Sequence, residues 1–420
     1  MSKIAGELRT QMNAMANDEE IPVIVMHKTG FFSAQSALDF EPEVRHKYDL
    51  VPAQAFQVRA ADIEKLEQSD SVERIWPDLP VHTCLDVSVP KIEVPAVRAV
   101  GLDGQGIKLA VVDTGLDPNH PDFAGRIVET ASFVGGEAVD DNGHGTHVAG
   151  IAAGSGAASN GKYTGVAPGA SLYIAKVLDA RGSGSMSGVM AGIEWAVNQN
   201  VHVINLSLGG DGPCDGSDAL STLCDAAVQQ RGVVLCVAAG NAGPASSTVG
   251  SPGCARQVIT IGATDDNDRV TRFSSRGPTS DGRNKPDLVF PGNEIVAPQA
   301  AGTQLGPVVA PGYISISGTS MATPHASGVV ALLLQAKGDL TPEDMKLVLT
   351  GTTLDLGDPA NVQGTGRGNA FAAYQRVVSP GPEPTPEPTP PPTPEPTPEP
   401  TPTPEPGGCR AALARLLGRG

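Results

Sequence analysis

Three polar residues stand at strand or helix ends: Asp113 in "LAVVDTGLD", His144 in "DDNGHGTHVAGIAAG" and Ser320 in "SISGTSMATPHASG". A serine hydroxyl becomes a useful nucleophile only when a base takes its proton. An imidazole serves as that base when a buried carboxylate fixes its tautomer. Each residue also has an ordinary alternative: Asp113 as a turn former at the end of a strand, Ser320 as one more small residue where a helix packs closely. A fourth candidate is Asn241 in "VVLCVAAGNAGP". Its amide can donate to a tetrahedral oxyanion, and asparagine is equally a turn former. His147 lies one turn after His144, a spacing that can hold a metal, but no glutamate follows as in HExxH. His147 and His325 both read as structural.

These residues need a scaffold that delivers them to one place. The runs "IKLAVVDTG", "SLYIAKVLD", "VHVINLSLGG", "VVLCVAAGN" and "VITIGATD" are short, β-branched and mostly apolar on both faces, with helix candidates at 185–199 and 217–230 between them. Strands buried on both faces and separated by helices predict a parallel α/β sheet, here spanning residues 90–377. Chemistry in such sheets collects at the carboxyl ends of the strands. Ser320 precedes an apolar helix over 326–335, whose N-terminus offers free N–H groups and a positive dipole end to a developing oxyanion.

The flanking regions differ. Residues 21–83 read as a small α+β domain, with strands at "IPVIVMHK", "AFQVRA" and "VERIWPD" and a helix at "AADIEKLEQSD". Residues 1–20 read as a polar N-terminal extension. Residues 379–406 are Pro-Thr-Glu repeats, an extended polyproline II spacer, and residues 407–420 a short basic tail.

The net charge of −17 over 420 residues and a pI near 4.8 argue against nucleic acid or an anionic membrane surface as a partner. No apolar run is long enough for a transmembrane segment, and "MSKIAGELRTQMNAMANDEE" lacks the apolar core of a signal peptide. None of the six cysteines shows CxxC spacing. Cys214 with Cys224, and Cys236 with Cys254, are the disulfides considered, with free buried thiols as the alternative. Cys409 reads as a free thiol or a cross-link between chains.

The blocks "VVDTGLD", "NGHGTHVAG" and "GTSMATPHASG", in the order Asp, His, Ser, together with "AAGN", resemble the catalytic blocks of the subtilisin-like serine proteases. The resemblance covers roughly residues 95–377. It implies a mostly parallel seven-stranded sheet with helices on both faces, preceded by a small α+β inhibitory propeptide domain at 21–83. It assigns Asp113 to orient the base, His144 as base, Ser320 as nucleophile, and Asn241 with the Ser320 N–H as oxyanion hole. Ser207, Leu208 and Gly209 would pair with an extended peptide. With Ala238, Ala239 and Gly240 they would wall a roomy, apolar pocket for the residue before the scissile bond. Met321 would be the oxidation liability beside the nucleophile.

The implied protein is a zymogen that cuts itself between Pro80 and Val89 and acts on protein substrates as a monomer of broad specificity, with its own propeptide as inhibitor. The alternative, a catalytically silent surface or binding protein on the same scaffold, is disfavoured because every block is intact. Calcium is expected only as a structural ion. The region matching the family's best-known calcium loop, "GSGAASNGKYTGVAP", is short and carries no acidic residue; Asp122 in "HPDF" matches a ligand position of the family, and the same stretch also reads as a plain turn. An extracellular or cell-surface location suits the propeptide and spacer, although no signal peptide is visible; cytoplasmic residence is the alternative.

Overall fold

The computed structural model describes residues 85–379 apart from 211, residues 18–28, 43–47 and 53–77, and scattered positions among the first seventeen. The spacer beyond Ser379, the tail with Cys409, and residues 80–84 of the expected processing window lie outside the described residues.

The N-terminal domain is an antiparallel sheet of Glu20–His27 (β1), Glu43–Lys47 (β2), Ala53–Arg59 (β3) and Val72–Pro77 (β4), in the order β2-β3-β1-β4, with one helix, Ala60–Gln68 (α1). Alternation along β1 buries Ile21, Val23 and Val25 against Phe56, Ile63, Leu66 and Ile75. The first residues are not a polar extension. Ile4 and Leu8 are buried in the same core. The Ile75 N–H bonds the Lys3 carbonyl, and Glu67 accepts from Ser2, Arg9 and the Lys3 N–H. The polar composition of 1–20 hid two apolar anchors, Ile4, which bridges to Ile75, and Leu8. Strand β2, in "EVRHK", was also missed, because charged residues on an edge strand do not alternate with apolar ones.

The second sheet contains Lys108–Asp113 (β5), Ile127–Ser132 (β6), Ser171–Lys176 (β7), Val203–Leu206 (β8), Val234–Ala238 (β9), Ile259–Thr264 (β10) and Leu288–Pro291 (β11). Its seven strands run in the order β11-β10-β9-β8-β5-β7-β6, parallel at every pairing. The period of two in β5 splits the core. Leu109 and Val111 face one side with His144–Ala153 (α2) and Thr319–Ala336 (α5), packing among Ile151, Val330 and Leu333. Ala110 and Val112 face the other side with Met186–Asn198 (α3) and Ala219–Arg231 (α4), among Ile193, Leu220 and Val228. Each fully buried Leu, Ile or Val side chain contributes roughly 1.5–3 kcal/mol. Since β5 has β7 on one side and β8 on the other, later strands extend the sheet from β5 in opposite directions. The crevice at its carboxyl end is therefore the topological switch point.

The end of the expected processing window and the residues after it belong to this second domain. Val89, Ile92, Val94 and Val97 are buried in the core shared with α2 and α5, and Arg367 donates to the Lys91 carbonyl at 2.7 Å.

Candidate active site

Asp113 is the last residue of β5 and is fully buried. Its Oδ1 accepts from the Thr114 N–H at 2.8 Å and from His144 Nδ1 at 2.7 Å. The ring of His144 keeps 22% of its side-chain surface exposed to the cleft. The contact depends on backbone approach: a Cβ at Gly145 would lie 2.2 Å from the Gly115 carbonyl oxygen, so only glycine lets α2 press against the turn after β5. Burial works against protonating His144, but the Asp113 charge and hydrogen bond, with a further contribution from Asp140, outweigh it and raise the pKa above 6.5.

Asp140 braces both partners. Its carboxylate accepts from Thr114 Oγ1, the Asn142, Gly143 and Thr146 N–H groups and Thr146 Oγ1. Thr114 Oγ1 in turn accepts from the Gly145 N–H. Burial alone would raise the Asp140 pKa; these donors hold it below the usual carboxylate range.

Ser320 lies in the first turn of α5, which begins at Thr319, several residues before the helix expected at 326–335. The small residues and Pro324 masked this first turn. Pro324 has no N–H for the Ser320 carbonyl, its partner four residues earlier. Ser207 Oγ fills that place, donating to the Ser320 carbonyl oxygen at 2.8 Å, while Ser320 Oγ donates to the Ser207 carbonyl oxygen at 2.9 Å. The Ser320 N–H, so close to the helix start, has no intrahelical acceptor. Met321, the next residue, is only 2% exposed.

Asn241 follows β9 and is exposed to the cleft. Its Oδ1 accepts from the Thr319 N–H at 2.9 Å and from Thr319 Oγ1 at 3.1 Å. A backbone N–H can only donate, so the atom facing Thr319 is the oxygen and the amide NH2 is left to face the cleft. No sequence signal pointed to Thr319 in this role.

His144, Ser320, Asn241, Ser207, Leu208, Gly209, Ala238 and Gly240 line one cleft of about 690 Å³. Ala239 does not. Its chain neighbours Ala238 and Gly240, at and just past the end of β9, face the cleft, while Ala239 turns inward, against Val249 and Cys254. Sequence reasoning missed apolar lining residues on other elements, among them Leu178, Met186, Val189 and Leu220, and missed Ser251. A larger hollow of about 930 Å³, between Arg256, Pro286 and Lys346, contains none of the candidate residues.

His147 and His325 are held in the interior. His147 Nε2 meets the Ile295 carbonyl at 3.0 Å; burial, with repulsion from His144, pushes its pKa to about 3. His325 Nδ1 meets the Met321 carbonyl and its Nε2 meets Ser88 Oγ, both at 2.8 Å, and burial lowers its pKa to about 4.

Two expectations are corrected. Cys214 pairs with Cys254, while Cys224 and Cys236 are free and buried. The cross-link spans two loops distant in sequence, which spacing along the chain does not reveal. Asp122, the expected metal ligand, is fully buried, and its carboxylate accepts from Tyr313 Oη at 2.9 Å and the Ala158 N–H at 3.0 Å. Arg126 donates to the Asp122 backbone carbonyl. These neighbours are hydrogen-bond donors, whereas a calcium ion needs a shell of oxygen acceptors, so this position does not fit the ion.

The model of the subtilase family matches residues 104–368. Serine protease AprX of Bacillus subtilis is 36% identical over 390 residues, covering 85% of this chain and 88% of that protein. M-protease of Shouchella clausii is 38% identical over 342 residues, covering 80% and 82%. Among solved structures, a cold-adapted subtilisin-like serine proteinase superposes with a TM-score of 0.51 at 36% identity, covering 64% of this chain and 89% of that one.

Proposed function

Because the chain belongs to the subtilase family and is a serine peptidase, we propose that it is an autoprocessed endopeptidase in which Asp113, His144 and Ser320 form the catalytic triad. The observation that carries this reading is the 2.7 Å contact between fully buried Asp113 and half-buried His144, opening on the cleft that also holds Ser320 and Asn241. Asp113 accepts the Nδ1 proton, which leaves Nε2 of His144 as the base. The Ser320 hydroxyl turns from the Ser207 carbonyl towards that nitrogen, gives up its proton and attacks the substrate carbonyl. The oxyanion is received by the Ser320 N–H and the Asn241 amide. His144 then protonates the leaving amine, and water, activated by the same ring, hydrolyses the acyl-enzyme.

The backbone of Ser207–Gly209 pairs with the substrate as an added strand. The apolar lining from Leu178, Val189, Leu208 and Leu220 favours large uncharged side chains without demanding one of them. The domain at 4–77 serves as the inhibitory propeptide. Ser88 is bonded to His325, and Val89 and Ile92 are buried among catalytic-domain residues, so self-cleavage falls ahead of Ser88 and the window narrows to 80–87. Export suits the enzyme, because the Cys214–Cys254 disulfide needs an oxidising compartment; among the described residues no helix is long and apolar enough to cross a membrane. Calcium has no part in the chemistry.

The test is the mass of the purified protein. The unmutated chain is expected to lose its N-terminal domain and to react with a fluorophosphonate at Ser320, while Ser320→Ala stays full length and unlabelled. Cleavage of Ser320→Ala at the same bond without added protease overturns the reading.

A further inference from the structure

The Cys214–Cys254 disulfide lies behind the cleft, and its surroundings give it a role beyond stapling a loop. Cys214 follows the wall segment Ser207–Gly210, in the loop between β8 and α4. Cys254 ends the segment Gly250–Cys254, which brings Ser251 to the cleft. The two segments touch directly: the Gly210 N–H bonds the Ser251 carbonyl at 2.8 Å, and a Cβ at Gly250 would lie 1.9 Å from the Gly210 carbonyl oxygen. Beneath them Asp218 accepts from Ser251 Oγ at 2.7 Å and from Ser221 Oγ at 2.6 Å. Behind them Arg283 donates to the Asp215 carbonyl at 2.9 Å and the Cys254 carbonyl at 2.8 Å, held by Asp281.

Resting on the reading of this cleft as the pocket for the residue before the scissile bond, we propose that the disulfide is a specificity element that fixes the width of that pocket. One wall, Ser207–Gly210, is bound through Cys214 to the segment carrying Ser251. That segment is continuous in the chain with the opposite wall at Ala238–Asn241. The wall nearest the cleft is rich in glycine, whose backbone has no side chain to brace it. A covalent link at Cys214, five residues beyond Gly209 and four beyond Gly210, supplies the missing constraint. Without it the glycine segment moves away from Ser251, and a large side chain loses wall contacts that a small side chain never makes. The triad and Asn241 stand on β5, α2, α5 and the end of β9, none of which the disulfide joins to another.

The experiment compares mature enzyme before and after reduction by dithiothreitol. The reductant gives two electrons and two protons to the Cys214–Cys254 bond, yielding two thiols and cyclic oxidised dithiothreitol. The thiols are then alkylated and located by mass spectrometry. Peptide substrates differing only in phenylalanine or alanine before the scissile bond are compared by kcat and KM. The expected result is a fall of about fivefold in the phenylalanine-to-alanine ratio of kcat/KM, mainly through KM, with fluorophosphonate labelling of Ser320 retained. The double variant Cys214→Ser/Cys254→Ser gives the same comparison where the reductant does not reach the bond. An unchanged ratio with both thiols alkylated, or the double variant matching the parent, overturns the proposal. So does an equal loss on both substrates together with lost labelling, which marks a staple for the whole site. If unreduced enzyme neither labels nor cleaves, the reading of the cleft itself fails and the pocket proposal falls with it.

Discussion

His144 and His325 are the same side chain in two regions of one catalytic domain, and their proton affinities move in opposite directions. At the carboxyl end of β5, His144 meets the fully buried carboxylate of Asp113 and its pKa is raised. One and a half turns into α5, His325 meets only a carbonyl and a hydroxyl, and burial takes its pKa down to about 4. Both rings sit in close-packed surroundings, so burial alone does not make a base. What separates them is a buried negative charge at hydrogen-bond distance, together with an open side facing a cleft.

The largest expected effect breaks the comparison at both ends. His144→Ala lowers kcat/KM by about 10⁴-fold or more. His325→Leu leaves kcat/KM within a few-fold and lowers stability by about 1–3 kcal/mol, because the Ser88 hydroxyl and the Met321 carbonyl lose a buried partner. Parallel kinetics and thermal melts check the pair; similar activity losses in both variants erase the distinction. Next in size, Asn241→Ala lowers kcat by about 10²–10³-fold, the loss on record for such a donor in a protease of this type. Substrate KM, measured in the same assays, changes little.

Acid separates the histidines thermodynamically. His147 and His325 have folded pKa values of about 3 and 4, below the 6.5 of an unfolded chain. The unfolded state therefore binds their protons first, and their stabilisation, complete above 6.5, is lost as pH falls towards 4 and then 3. His144, with its raised value, contributes in the opposite sense: its stabilisation is present below 6.5 and fades as pH rises through the folded value. Melting temperature should therefore drop in acid, and His325→Leu should shrink that drop. The smallest effect concerns Asp122. Asp122→Ala strands Tyr313 Oη and costs about 1–3 kcal/mol, and added calcium does not restore the melting temperature.

The same contrast explains what the sequence made legible. Asp113 and Asn241 each follow an apolar strand, and His144 and Ser320 each open a helix of small residues. A parallel sheet collects such ends in one place, so local pattern nominated them and the family resemblance gave them their roles. Strands β5, β7, β8, β9 and β10 were readable because both faces are buried, whereas the largely uncovered β6 and the four-residue β11 were not. Contacts between segments far apart along the chain were not. The Ser88–His325 bond spans 237 residues and the Cys214–Cys254 pairing spans 40. The pinning of Asn241 by Thr319 depends on where β9 and α5 meet. Ala239 was misplaced for a local reason, since a run of small residues hides which of them turns inward. Residues 1–20 looked like an extension because two anchors, Ile4 and Leu8, are too few to form a visible periodicity.

The account stands on Asp113 making His144 a base for Ser320. The most direct measurement is the rate of fluorophosphonate labelling at Ser320 against pH, for the mature unmutated enzyme and for Asp113→Asn processed in trans. The account predicts an acid limb in the unmutated enzyme with an apparent pKa above 6.5, since His144 must lose its proton to act. In Asp113→Asn that limb moves to lower pH and the plateau rate falls by about 10⁴-fold. Labelling that is independent of pH between 5 and 8, or an acid limb unmoved by Asp113→Asn, would contradict it.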